Sequence, residues 1–290
     1  MLNPRIVNIT AEGGRGGTGG AGGHSGGSGG IGQGAQVNFE RVDSVHVHHN
    51  DQAITSKRQE NTGAWLLEHP TFKEWEAGSE KILWCHGIPG AGKTVLASKA
   101  VDYFKSLTAA SSTIGVAFVY LNYQEAGQQT LQNLLAALWR QLSIGQDIQA
   151  ATKLYKTHEK DETTPALDDI KDLLKARVQV FTKVHIVMDA LDEYLGSTDQ
   201  LLDAIQNMGP QIALLVTCRP HIWPPTGKAT PLEIVASAED MKIYVSSQIQ
   251  GSTNLKVLVQ QEASLHQVII STVIDKAGGM YVKLDFSDFF

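Results

Sequence analysis

The sequence predicts an α/β fold of three layers, α/β/α, in which a parallel sheet is covered by helices on both faces. Three observations predict it. Short apolar runs of strand length alternate along the chain with longer stretches that repeat their apolar residues at helical spacing. The runs near the centre are apolar throughout, as strands buried on both faces are. Residues that carry chemistry fall at the C-terminal ends of those runs, where ligands bind in open α/β sheets.

The chain has 290 residues, enough for one or two domains. Residues 13–34 are low in complexity: fourteen of the twenty-two are Gly, close to a repeated Gly-Gly-x triplet. Glycine loses the most backbone freedom on ordering and brings no side chain to bury, so this Gly-rich N-terminus is expected to be flexible, with a self-assembly module as the sharper reading. Residues 36–49 then alternate, with Val37, Phe39, Val45 and Val47, and suggest a strand or hairpin that could pair with another chain. His46, His48 and His49 lack the Cys or carboxylate pattern of a metal site.

Residues 51–80 read as a helical lead-in. Thr71-Phe72-Lys73-Glu74 fits a capping box, with Thr71 as the cap and Glu74 reaching back. Trp65, Leu66, Leu67, Phe72 and Trp75 give it an apolar face that packs into the core or lies over a base. The first strand is Ile82-Leu83-Trp84-Cys85. It runs into Gly87-Ile88-Pro89-Gly90-Ala91-Gly92-Lys93-Thr94, which fits G-x-x-x-x-G-K-[ST], the phosphate-binding P-loop, and Val95 onward reads as a helix. A strand, a Gly-rich turn and a helix N-terminus make an anion site because unpaired N–H groups there point at the ligand. Lys93 would reach the β- and γ-phosphates, and the Thr94 hydroxyl would sit on Mg²⁺.

The second strand is read at 115–122. Leu131, Leu134, Leu135, Leu138 and Leu142 follow at helical spacing, and further helices are expected at 147–158 and 166–178. Val184-His185-Ile186-Val187-Met188-Asp189 is an apolar run ending in an acid, a Walker B element whose Asp189 can hold the Mg²⁺. Ala190 occupies the place where many such ATPases carry a catalytic Glu. Acids return at Asp192 and Glu193, either of which could position the attacking water, with Asp192 slightly favoured. A helix at 201–208 leads to a strand starting at Ile212 and ending Thr217-Cys218-Arg219-Pro220, where Arg219 is placed to sense a γ-phosphate. A short strand is expected at 232–235, followed by two C-terminal helical patterns, one with Met241, Tyr244, Val245 and Ile249 and one with Leu265, Val268, Ile269, Thr272 and Val273.

The bulk numbers narrow the function classes. Charged residues are 19% and apolar residues 42%, consistent with a substantial core, and the net charge of −6 argues against a nucleic-acid-binding face. Cys85 and Cys218 fall in apolar strands and read as buried free thiols, which fits a reducing compartment. No stretch reaches about 18 continuous apolar residues, so no membrane span is expected. The first ten residues lack the features of a signal peptide, and the cytosol is the default location.

Together the motifs resemble the NACHT class of signalling P-loop NTPases (STAND-type, NLR-like), in particular the fungal branch with a nephrocystin-like N-terminal P-loop domain. The matching residues are Gly63-Ala64-Trp65-Leu66, Phe72-Lys73-Glu74-Trp75, the block from Leu83 through Thr94, Asp189-Ala190-Leu191-Asp192-Glu193 and Thr217-Cys218-Arg219-Pro220. The resemblance implies a P-loop NTPase fold with a five-stranded parallel sheet, the Arg219 strand lying between the P-loop and Walker B strands. It implies an ATP/ADP-controlled switch that hydrolyses slowly, assembles as a homo-oligomer through the NTPase domain or the N-terminal segment, and signals in non-self recognition or cell death. ATP over GTP is likewise implied by the family and not by any residue. Lys276-Ala277-Gly278-Gly279-Met280-Tyr281 looks like the family's K-A-x-G-M-F helix, and the chain ends soon after it, as in a member cut short before a winged helix. The expected organisation is a Gly-rich segment at 1–50, the lead-in at 51–80, the NTPase core at 81–236 and a helical extension at 237–290. Two other functions are weighed: a small-molecule kinase, which lacks an arginine-bearing lid here, and a non-enzymatic assembly module driven by the Gly-rich segment.

Overall fold

The computed structural model describes residues 10–12, 36–38, 54–55, 58–144, 149–160, 163, 165–224 and 229–281. The Gly-rich run, the three histidines near residue 48 and the Phe-rich end lie outside the described residues. From the expected N-terminal strand, β2 (Gln36–Asn38) is present and pairs antiparallel with β1 (Thr10–Glu12).

The main sheet has five strands: β3 (Ile82–His86), β4 (Ile114–Tyr120), β5 (Lys183–Asp189), β6 (Ile212–Cys218) and β7 (Ala229–Glu233). All neighbours are parallel, in the order β4-β5-β6-β3-β7. This is the expected three-layer arrangement, and β6 does lie between the P-loop strand and the Asp189 strand. β6 is buried at every position, as an apolar run without alternation predicts. β7 starts three residues before the predicted strand. It carries Pro231, which an edge strand tolerates because one side of its backbone needs no ladder bond.

Alternation along β3 separates two cores. Ile82 and Trp84 face one layer with Ile186, Leu214 and Val216, covered by α4 (Leu131–Leu142), α6 (Leu167–Val178) and α7 (Thr198–Gln206). Leu83 and Cys85 face the other with Val187 and Leu215, covered by α2 (Pro70–Ala77) and α3 (Lys93–Ala110). Residues Gln149–Lys160 form α5. In α2, Phe72 and Trp75 are fully buried. Each such side chain contributes about 1.5–3 kcal/mol, which an isolated two-turn helix could not supply from propensity. Phe72 stacks on Phe104 with ring centroids 6.0 Å apart, and His185 stacks on the same ring at 4.0 Å.

The lead-in also contains α1 (Ala64–Glu68). The expected capping box at Thr71 is not formed. His69 is the N-cap of α2, its Nδ1 accepting the Thr71 N–H at 3.2 Å, with Pro70 as the first helical residue. Pro at that position begins a helix whose first N–H would be unpaired anyway, so it fixes the start one residue ahead of Thr71.

Among the described residues after β7 three helices follow where the periodicity predicted two: α8 (Ala238–Gly251), α9 (Thr253–Gln261) and α10 (Ala263–Ala277). Single residues, Ser252 and Glu262, separate them. The side chain of Ser252 caps α9 through the Leu255 N–H. Val245, Ile249, Leu255 and Ile270 form their shared core.

Candidate functional site

The P-loop joins β3 to α3, so its residues are set by the last sheet position on one side and the first helical turn on the other. Gly90 (φ 79°) and Gly92 (φ 88°) hold left-handed conformations that side chains disfavour. Gly87 is required for a different reason: a Cβ there would lie 2.4 Å from the Ile234 carbonyl oxygen. The Gly87 N–H donates to the Cys218 carbonyl at 3.2 Å, which ties the loop's start to the end of β6. Ala91 is buried, while Ile88, Pro89 and Gly90 are exposed. Val95 lies in the first turn of α3, half-buried.

Lys93 is the first residue of α3. Its Nζ donates to the carbonyls of Gly87 at 2.7 Å and Ile88 at 2.9 Å, folding the ammonium back over the loop. Burial lowers its pKa, and the charges of Asp192 and Asp189 oppose that shift. The Thr94 hydroxyl donates to Asp189 Oδ2 at 2.8 Å. Asp189 ends β5 and is buried. Burial raises its pKa, against hydrogen bonds from Thr217 and Thr94 and the charge of Lys93. The Thr217 hydroxyl donates to Asp189 Oδ1 at 2.5 Å and accepts the Ala190 N–H at 2.9 Å. Ala190 is left-handed, at φ 57° and ψ 50°, which turns the chain sharply after Asp189 into the short 3₁₀ turn Leu191–Glu193.

That turn sets Asp192 against Arg219. Arg219 Nε lies 2.9 Å from Asp192 Oδ2, and the Arg219 N–H donates to Oδ1 at 3.1 Å. Both oxygens of the buried Asp192 carboxylate are therefore engaged, while half of the Arg219 side chain is open to solvent. Glu193 is less committed: its Oε2 accepts the Tyr123 N–H at 3.4 Å. Cys85 and Cys218 are buried free thiols, both pushed up by burial, Cys218 to about 12.

The structure thus gathers Lys93, Thr94, Asp189, Asp192, Glu193 and Arg219 at the C-terminal edge of the sheet. Arg219 and Asp192 meet each other, a pairing the sequence reading did not anticipate. One polar residue escaped that reading as a site member: Thr217. Thr217 left a signal, a hydroxyl in an otherwise apolar strand two residues before Arg219. In the lead-in, Leu66, Phe72 and Trp75 are core residues.

The donor set fits a phosphate and a hard cation. A lysine and a helix N-terminus face the loop, and a hydroxyl and a carboxylate stand beside each other. Among the described residues no cluster of three or more His, Cys, Asp or Glu is present. Mg²⁺ does not need one, since it binds through one or two carboxylates plus substrate phosphates and waters.

Fold and site together define a P-loop NTPase. A family profile described as Nephrocystin 3, N-terminal, matches residues 61–219, more than half of the chain, and the chain belongs to that family. Among curated proteins it is similar to the vegetative incompatibility protein HET-E-1 of Podospora anserina, 22% identical over 182 residues. That match covers 59% of this chain, which spans only 13% of the relative's length. Similar solved structures include the Aeropyrum pernix ORC1 protein in complex with DNA (TM-score 0.44, 13% identity, 71% of this chain and 50% of that one). Another is a STAND protein with a tetratricopeptide repeat sensor from Pyrococcus horikoshii (TM-score 0.34, 15% identity, 62% of this chain and 25% of that one). No described helix is long and apolar enough to cross a membrane.

Proposed function

We propose that this chain is the nucleotide-dependent switch of a fungal NLR-like signalling protein, binding Mg-ATP and Mg-ADP and hydrolysing ATP slowly. The observation that carries the reading is the contact between Thr94 and Asp189, 95 positions apart, beside a lysine held over a glycine loop. In this reading Lys93 leaves the carbonyls of Gly87 and Ile88 for the β- and γ-phosphates, and the backbone of residues 87–95 cradles them. Thr94 and Asp189 would hold Mg²⁺, which when bound would neutralise phosphate charge. Thr217 fixes the Asp189 carboxylate, and Arg219, held by Asp192, presents its open half to a γ-phosphate.

Slow turnover follows from the acids. Ala190 gives no carboxylate directly after Asp189, and Asp192 is engaged by Arg219. Glu193, with one long hydrogen bond, is the freer group to orient water. In this proposal the lead-in spans 51–80, the NTPase core 81–236 and the helical extension begins at 237. Incompatibility signalling, the activity in the name of the Podospora relative, would then be the output of assembly through this module.

The test is calorimetric titration with Mg-ATP and Mg-ADP, with Lys93→Ala beside the wild type. Removing a charge-assisted contact to phosphate is expected to weaken binding roughly 30-fold or more. Equal binding by the two proteins would sink the proposal. Transfer of phosphate to an added small-molecule acceptor faster than to water would replace it with the kinase reading.

A further inference from the structure

Beyond α10 the chain returns to the P-loop. It leaves the helix through Gly278 (φ 54°) and Gly279 (φ 83°). The Gly279 carbonyl accepts the Ala236 N–H at 3.1 Å, and a side chain at Gly279 would meet Val235 at 2.8 Å, so this arm lies tight against the segment after β7. The Tyr281 N–H then donates to the Gly90 carbonyl at 2.8 Å. The Tyr281 ring lies against Gly92 so closely that a Cβ there would be 2.8 Å from Cε2.

The far end of the ring is anchored. The Tyr281 hydroxyl donates to Asp240 Oδ2 at 3.2 Å, and the same oxygen accepts the Gly63 N–H at 2.8 Å. Burial, with Asp240 beside it, pushes the phenol above its ordinary range, so it remains a donor. The ring also meets Tyr244 edge-on, with centroids 5.8 Å apart, and packs in the small core of Ala236, Met241 and Ala277. One side chain therefore touches the P-loop, the lead-in through Asp240, and helices α8 and α10.

We infer that Tyr281 is a positioning residue of the nucleotide site, bracing the P-loop in its phosphate-binding shape and coupling that loop to the α8–α10 bundle. The inference rests on the P-loop nucleotide reading above. Two left-handed glycines within three residues give the free loop many competing conformations, and a hydrogen bond and a ring on one flank remove some of them. The arm engages a carbonyl and a glycine Cα, so it takes none of the loop N–H groups that an anion needs. Ordering the loop before the ligand arrives raises affinity by lowering what binding must order. Linkage makes the effect reciprocal: nucleotide must hold the arm as much as the arm helps nucleotide.

The experiment is hydrogen exchange and Mg-ADP titration on the full chain, comparing wild type with Tyr281→Ala, Tyr281→Phe, Asp240→Asn and Lys93→Ala. Without nucleotide, Tyr281→Ala is expected to speed exchange at residues 90–94 selectively, and with Mg-ADP to weaken binding about tenfold. Tyr281→Phe keeps the ring and loses only the anchor, so a smaller loss, about two- to threefold, is expected, with Asp240→Asn alike. Mg-ADP is expected to slow exchange at residues 279–281 in wild type and not in Lys93→Ala. A merely structural tyrosine would speed exchange throughout the helical bundle and leave the loop no worse than the rest, which would overturn the inference. So would wild-type loop exchange together with affinity within about twofold in Tyr281→Ala. If Tyr281→Ala does not fold, Tyr281→Phe and Asp240→Asn carry the same comparison. Failure of wild type to bind Mg-ADP would strike the nucleotide reading alone, because the ligand-free exchange still decides the brace.

Discussion

Thr217→Val tests whether the β6 hydroxyl holds Asp189 in place. The side chain is 1% exposed and its oxygen serves two neighbours, donating to Asp189 Oδ1 at 2.5 Å and accepting the Ala190 N–H at 2.9 Å. Valine keeps the shape and removes both. The bond to the carboxylate is charge-assisted and contributes about 1.5–3 kcal/mol, and a half-buried Ala190 N–H left without its partner costs up to about 1–3 kcal/mol more. The extra apolar group returns about 0.8 kcal/mol. The expected net loss is about 2–5 kcal/mol, a large share of the roughly 5–15 kcal/mol typical of a folded domain. Urea unfolding followed by tryptophan fluorescence at pH 7.5 measures it, with Thr217→Ser as the control that keeps the hydroxyl and is expected to lie within about 1 kcal/mol of wild type. A double-mutant cycle with Asp189→Asn separates the pair from its surroundings and is expected to show coupling of about 1 kcal/mol or more. Thr217→Val as stable as Thr217→Ser, or strict additivity in the cycle, refutes the reasoning.

Two further outcomes concern stability. His185, stacked on Phe104 and lowered by burial and then by the Lys183 charge to about 4, is neutral in the folded chain and titrates near 6.5 when unfolded. Its stabilisation is complete above the unfolded value and is lost as pH falls toward 4, about 2 kcal/mol by pH 5. His185→Phe is expected to lose less of its urea midpoint between pH 7.5 and 5 than wild type, and an equal loss would exclude the histidine as the cause. Ala190 adopts φ 57°, so Ala190→Gly is expected to stay within about 0.5 kcal/mol, relief of the left-handed strain being offset by chain entropy. Ala190→Val is expected to cost about 2 kcal/mol or more in the same unfolding assay, because a β-branched residue there is a genuine outlier; equal stability of the two variants would show that the turn does not need that conformation.

What the sequence made legible were features carried by contiguous residues. The strand at Ile82, the glycines of the loop and the acid ending the β5 run each announce themselves within a few positions. The Thr71 and Glu74 spacing suggests a capping box, but Pro70 as the first helical residue, with His69 capping ahead of it, sets the start of α2. The helix α9 was missed because nine residues flanked by single-residue breaks give too short a window for periodicity. Contacts across the fold left almost no trace. Asp192 and Arg219 were each visible, but their pairing needs the knowledge that β5 and β6 are neighbours ending side by side.

That neighbour relation accounts for much of the site. Because the sheet runs β5-β6-β3, the strand bearing Asp189 does not touch the strand that feeds the P-loop. Whatever ends β6 must lie between them. Its carbonyl at Cys218 takes the Gly87 N–H, its hydroxyl at Thr217 takes the Asp189 carboxylate, and its arginine, one residue beyond the strand, takes Asp192. A β6 ending in apolar residues would leave the buried Asp189 carboxylate with Thr94 as its one neutral hydrogen-bond donor among the described residues, and a charge so placed is pushed toward neutrality. The Thr-Cys-Arg end of β6 is thus a consequence of strand order: the order puts β6 between the two halves of the site, and its last residues must be the ones that join them.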